Sequence, residues 1–176
     1  SKLHSIPHYL WKKVLTDLET TPPTLGVTDY NARNVVVNSE SSEIRFIEFS
    51  KLGWDWPERR LVQYTTSLGS GRSNGQFRSL LCPRTTACYA DLLAHSLSEN
   101  SGTISHRLDA HHLIFHLLIG SRLLGAISAP KEGRNSDLLK AWKNPKTRLK
   151  QLQKILSTPL SNNSEIKELR ALFSNA

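Results

Sequence analysis

The sequence predicts an α+β fold that is mostly α. Three observations lead there. Apolar residues recur at helical spacing over most of the chain after residue 77. Short β-branched and apolar runs with strand character are confined to Leu25–Ser50. Proline and glycine clusters separate these segments at short intervals. At 176 residues the chain is long enough for one domain with its own core.

The elements follow in order. Ser5–Thr20 reads as an amphipathic helix, opened by Ser5 and Pro7, with Leu10, Val14 and Leu18 on one face and a Lys13–Asp17 pair at i, i+4. Pro22 and Pro23 end it. Val35–Val37 and Ile44–Ile47 are expected to pair as an antiparallel hairpin across the polar tract Ser39–Glu43. Lys51–Pro57 reads as a Gly/aromatic loop, and Pro57 as the first turn of a helix to about Leu68. Gly69–Gly75 reads as a flexible break. It lacks the strand before it and the GK[ST] ending of a phosphate loop.

After a connector over Phe77–Arg84, Thr85 or Thr86 is expected to cap a helix to Leu97 with Tyr89, Leu92, Leu93 and Leu97 on its apolar side. Ile104–Ile127 is expected to be a long core helix. Ser136–Trp142, a helix opened by Pro145, and Ser164–Phe173 complete the chain.

Composition narrows the class. A hydrophobic fraction of 38% and a charged fraction of 22% fit a soluble globular protein. No apolar run is read as approaching the ~18–20 residues of a membrane helix, and Ser1–Leu10 lacks the pattern of a signal peptide. Cys82 and Cys88 form neither a disulfide framework nor a zinc site by spacing, which suits free thiols in a reducing, cytoplasmic compartment. The net charge is +8, and Lys131–Ala176 holds ten Lys or Arg against four Asp or Glu. Such a balance suits anionic partners: nucleotide phosphates, nucleic acid or an acidic surface.

The chemistry concentrates in Leu25–Ser50. Asp29, Asn34 and Glu48 place three oxygen-bearing side chains at the ends of short strands, the donor type that a hard divalent cation and a phosphate-transfer site require. Singly, each reads as a turn or strand residue; their order and spacing point to a site. His112 and His116 share a helix face, but the residues between them are Leu113, Ile114 and Phe115, without the glutamate of an HExxH zinc motif, so they read as structural.

The run Val27-Thr28-Asp29-Tyr30-Asn31-Ala32-Arg33-Asn34, then Val35–Val37, resembles the catalytic loop of the aminoglycoside phosphotransferase and choline kinase-like family, relatives of the protein kinases. Pro22–Leu25 resembles the family's lead-in, and Ile47-Glu48-Phe49 its metal-binding strand. Gly53–Val62 loosely resembles the segment after it. The resemblance covers Leu25–Leu68. It implies a single kinase-like C-terminal lobe, with a catalytic-loop and metal-strand region over 25–68 and a helical region over 77–176. It implies Asp29 as catalytic base, Asn34 and Glu48 as ligands of Mg²⁺ and hence of ATP, and a small-molecule hydroxyl as acceptor.

The departures are Val27-Thr28 for the family's His-Gly, Glu48 for its aspartate, and Arg60 for an aspartate that holds the loop. The chain reads straight into a helix, with no room before Ser5 for an N-terminal lobe, so a partner chain is one expected source of that lobe. His106, Asp109 and His112 are candidate acceptor contacts by position.

Three functions follow: an ATP- and Mg²⁺-dependent small-molecule phosphotransferase, a catalytically inactive kinase-like lobe that binds or scaffolds, and a basic helical nucleic-acid binder using Lys143–Lys154. No membrane partner is expected.

Overall fold

The computed structural model describes residues 8–19, 21–72 and 78–174. Its elements run α1 (His8–Glu19), β1 (Thr24–Val27), a 3₁₀ turn (Ala32–Asn34), β2 (Val35–Val37), β3 (Ile44–Phe46), β4 (Leu52–Asp55), α2 (Pro57–Arg72), α3 (Pro83–Leu97), α4 (Ser101–Ser128), α5 (Asn135–Trp142), α6 (Pro145–Ser157) and α7 (Ser164–Ser174). The α+β, mostly α expectation is met. The Ser5/Pro7 start and the Asp17 side chain lie outside the described residues.

α4 is the axis of the molecule. α1, α2, α3, α5, α6 and α7 all pack on it. One core cluster joins Leu10, Val14 and Leu18 of α1 to Ala110 and Leu113 of α4, Leu152 and Leu156 of α6, and Ile166 and Leu169 of α7. A second joins Val62 of α2, Leu81, Leu108 of α4 and Leu160. Each fully buried leucine or isoleucine contributes about 1.5–3 kcal/mol from removal of apolar surface from water. The close approach of α4 to α6 requires Gly120, because a Cβ there would stand 2.7 Å from Leu152 Cδ2.

By length and composition α4 could cross a membrane, contrary to the sequence expectation: it has 28 residues and a window of mean hydropathy 1.3. Helices pack around it, and 44% of the window is buried inside the protein. It also buries polar groups that find partners. Asp109 Oδ1 accepts from Arg170 Nε (2.9 Å) and Nη2, while its Oδ2 accepts from the backbone amides of Leu160 (3.1 Å) and Ser161 (2.9 Å). His112 contacts Ser79 Oγ (3.0 Å) and Arg170 Nη2 (3.1 Å), and His116 contacts the His112 carbonyl (2.7 Å) and Thr66 Oγ1 (3.3 Å).

The expected hairpin is present, with Val35 opposite Phe46 and Val37 opposite Ile44. A second antiparallel pair was not foreseen. β1 pairs with β4 in the register Thr24↔Asp55, Leu25↔Trp54, Gly26↔Gly53, Val27↔Leu52. Lys51–Pro57 is therefore largely strand. Its glycine masked the signal, which only the partner strand reveals.

α2 continues through Gly69 to Arg72, beyond the expected end at Leu68; the rest of the expected break, residues 73–75, lies outside the described residues. α3 begins at Pro83, and Thr85 acts from its third position, its Oγ1 accepting from the Cys82 amide (2.9 Å). Its buried residues are Thr86 and Ala90, whereas Leu92 and Leu97 are exposed. Asn100 caps α4 by accepting from Gly102 (2.8 Å) and Thr103 (3.3 Å), which moves its start ahead of Ile104.

Candidate functional site

The β1–β4 ribbon sets the site. The Thr28 amide and hydroxyl both donate to the Lys51 carbonyl, at 2.8 and 3.0 Å, carrying the pairing one step past Val27↔Leu52. Asp29 and Lys51 thus emerge side by side. Lys51 Nζ stands 2.8 Å from Asp29 Oδ2, and Gln63 Nε2 of α2 donates to Asp29 Oδ1 at 3.3 Å. Gln63 Oε1, on the same amide, is buried without a hydrogen-bond partner.

The loop after Asp29 is pinned at both ends. Asn31 Oδ1 accepts from the Arg33 amide (3.1 Å) and from Ser67 Oγ of α2 (2.8 Å), and Ser67 Oγ accepts from the Ala32 amide (3.3 Å). Asn34 Nδ2 donates to the Asp29 carbonyl at 3.2 Å, closing a loop of five-residue separation. That leaves Asn34 Oδ1 as the amide atom able to meet a cation or a donor. The Ile47 amide donates to the Asn34 carbonyl (3.0 Å), which ties the segment carrying Glu48 to the same loop. Glu48 Oε1 accepts from the Ser50 amide at 2.9 Å.

Electrostatics couples these groups. Hydrogen bonding to Ser50 lowers the Glu48 carboxyl below its ordinary value; the Lys51 charge adds to this, and the Asp29 charge opposes it. The Lys51 ammonium is raised by its hydrogen bond and charge interaction with Asp29, with a smaller contribution from Glu48. Two carboxylates and one ammonium therefore share one solvent-accessible cluster.

Arg59 and Arg60 hold the strand that leads in. Arg59 pairs with the buried Asp55 through Nε–Oδ1 (2.6 Å) and Nη2–Oδ2, and donates to the Thr28 carbonyl at 3.2 Å. Arg60 donates to Thr24 Oγ1 (3.0 Å) and to the Thr24 carbonyl. The Arg60 guanidinium crosses so near Gly26 that a Cβ there would lie 2.7 Å from Nη1. Loop anchoring therefore runs through Asp55 and Arg59. Tyr30 stacks between Phe46 and Tyr64, with ring centroids 5.1 and 5.6 Å away, which seats the middle of the loop on both the hairpin and α2.

Asp29, Asn34 and Glu48 thus belong to one backbone-linked cluster. Of the candidate acceptor contacts, Asp109 is fully buried on Arg170, and His112 is 1% exposed. Both are fold residues, which corrects their reading as acceptor contacts. His106 lines a separate concavity of about 540 Å³ with Ser105, Ser161, Asn162 and Lys167, and none of the three site residues lines it. Donor chemistry, and not concavity, marks the Asp29 cluster. Lys51 and Gln63 were missed by the sequence reading. The only signal for Lys51 is its place one register step beyond Leu52, legible once β1 and β4 are paired.

Among the described residues no three His, Cys, Asp or Glu side chains converge as a metal-binding group. Mg²⁺ needs fewer protein ligands, because it is held through one or two carboxylates together with substrate phosphates. Asn34 Oδ1 and the Glu48 carboxylate are oxygen donors of the right chemistry for that ion. No protein-family model, curated protein or solved structure matches this chain.

Proposed function

We propose that the Asp29 cluster is the hydroxyl-activating end of a phosphotransferase that moves the γ-phosphate of ATP to a small-molecule alcohol. One observation carries the reading: Asn34 closes on the Asp29 carbonyl while Gln63 and Lys51 fix the two Asp29 carboxylate oxygens. A base for hydroxyl phosphorylation has to be positioned before it has to be strong, because positioning and charge neutralisation supply most of the rate.

In this reading Asp29 accepts the proton of the acceptor hydroxyl. Asn34 and Glu48 hold Mg²⁺, and Lys51 faces the transferring phosphate with its positive charge. The ion, when bound, neutralises charge between the phosphates. The test is transfer of labelled γ-phosphate from ATP to a panel of small alcohols. Asp29→Asn is expected to lower it at least ~100-fold, in the range for loss of a general base. Equal transfer by wild type and Asp29→Asn would refute the assignment.

A second reading, a catalytically inactive kinase-like binding module, is favoured by a different feature. Leu25, Leu52 and Trp54 on the β1–β4 pair, and Val36, Val37, Ile44, Ile47 and Phe49 around the hairpin, are all exposed. Apolar surface gathered in this way suits a partner chain. Pull-down with and without Leu25→Ser/Trp54→Ser separates it from the first reading, since neither side chain is a hydrogen-bond partner of Asp29.

A further inference from the structure

The α5–α6 corner carries a second feature that the phosphotransfer reading leaves unused. From Leu138 to Ser164 the chain has no Asp or Glu, yet it has Lys140, Lys143, Lys146, Arg148, Lys150 and Lys154. α6 buries Leu152 and Leu156 toward α4. At 3.6 residues per turn, Lys146, Lys150 and Lys154 then lie in one row on the opposite side, with successive members about 6 Å apart. All three are exposed, and none has an acidic partner among the described residues. Like charges at i, i+4 disfavour a helix, so fold stability does not account for this row.

The corner itself is stapled. Lys143 and Asn144 both take left-handed φ values, 35° and 46°. Arg148 Nε donates to the Trp142 carbonyl and, at 3.0 Å, to the Lys143 carbonyl, while its guanidinium sits 5.9 Å from the Trp142 ring centroid. Arg148 is thereby used internally. Lys140 and Lys143 are exposed on the α5 side of the same corner.

We propose that this corner docks on the phosphate backbone of a nucleic-acid duplex without reading its sequence. A row of lysines at regular spacing offers point charges, which bind phosphates and fix position, and lacks the bidentate groups that read base edges. Trp142 is half-buried beneath Arg148, so the face has no stacking platform for unpaired bases. The apolar side of α6 is turned into the core, so the helix has no hydrophobic face to bury among lipid headgroups. The chemistry that remains is counter-ion release from a polyanion. This surface is independent of the Asp29 cluster, and either reading can fail alone.

The experiment is fluorescence anisotropy of the whole chain with a labelled 20-base-pair DNA duplex of arbitrary sequence, repeated across salt concentrations. The expected result is binding whose logarithm falls linearly with log salt, with a slope of about −3 to −4 when three to four phosphates are neutralised. Lys146→Glu/Lys150→Glu/Lys154→Glu is expected to weaken binding at least ~10-fold and to flatten the slope by about one for each phosphate that is no longer neutralised. Lys12→Glu/Arg84→Glu/Arg122→Glu changes net charge equally at exposed positions elsewhere and is expected to retain most of the binding. Circular dichroism establishes that both variants keep wild-type helix content.

The proposal is overturned if wild type does not bind the duplex, if binding ignores salt, or if the two triple variants lose affinity equally. It is also overturned if vesicles of anionic lipid bind more tightly than duplex and lose that binding with the α6 row alone.

Discussion

Lys51 Nζ and Asp29 Oδ2 stand 2.8 Å apart because the β1–β4 register brings their strand ends together. The lysine keeps 62% of its side chain exposed and the aspartate 31%. The pair is thus open to solvent and to ligand. An ion pair this exposed contributes little to stability.

Removing that lysine should move a neighbour. In Lys51→Met, the Glu48 carboxyl loses one of the interactions that lower it and should titrate closer to its ordinary value, as read by side-chain carboxyl NMR. It should remain below that value, because hydrogen bonding to Ser50 is the larger cause. An unchanged Glu48 titration would separate Glu48 from the cluster.

The buried Asp109–Arg170 pair should be far less tolerant. Asp109→Ala strands the Arg170 guanidinium in the core and frees the Leu160 and Ser161 amides. Loss of about 3–5 kcal/mol in urea unfolding is expected, the range for breaking a buried pair by removing one partner. Lys51→Met, measured alongside, should leave the urea midpoint nearly unchanged.

Acid should unfold the protein through α4. Burial lowers the His111 imidazole to about 4, helped by Arg59 and Arg107 and opposed by Asp55. Burial lowers His116 to about 4, with Arg170 adding and the bond to the His112 carbonyl opposing. His112 is lowered well below its ordinary value, again chiefly by burial and then by His116 and Arg170. These groups are neutral in the fold and protonate near 6.5 once unfolded, so the unfolded state binds more protons below that pH. Stability is therefore complete above about pH 6.5 and falls as pH drops toward 4, by up to about 1.4 kcal/mol per pH unit for each histidine. Urea midpoints at pH 7, 6 and 5 should decline, and His116→Gln should make the decline shallower.

Two glycines of α4 should respond oppositely to alanine. At Gly125 a Cβ meets nothing within 4 Å, so Gly125→Ala should stabilise by about 0.5–1 kcal/mol through helix propensity. At Gly120 the added methyl meets the buried Leu152, and the same change should destabilise by about 1–2 kcal/mol net. Thermal melts of the two variants should shift in opposite directions.

Much of the fold could be read from local pattern. The 3.6-residue periodicity locates α1, α6 and α7 because each has an apolar stripe turned to the core, and α4 is legible from its long apolar run, buried on several sides. The β2–β3 hairpin follows from Val35–Val37 and the polar turn. The β1–β4 pair did not, because its strands are separated by the whole hairpin and each contains a glycine, Gly26 and Gly53. On the expected apolar side of α3, Tyr89 and Leu93 are half-buried, Tyr89 against the second core cluster, whereas Leu92 and Leu97 satisfy the spacing yet face solvent. Asn163, whose Oδ1 accepts from the Ile166 amide at 2.9 Å, caps α7, which starts at Ser164 as expected. At the site, Asp29, Asn34 and Glu48 were legible from order and spacing. Lys51 and Gln63 were not, since both reach Asp29 only through tertiary contacts.

The most direct test of the phosphotransfer account is calorimetric titration of ATP into the chain with and without Mg²⁺, for wild type, Asp29→Ala and Glu48→Ala. The account predicts Mg²⁺-dependent nucleotide binding by wild type. It predicts retention of that binding in Asp29→Ala, where the base is lost but not the metal ligands, and at least ~10-fold weakening in Glu48→Ala, where a metal ligand is lost. Nucleotide binding that is absent from wild type, or that is the same with and without Mg²⁺, would contradict it.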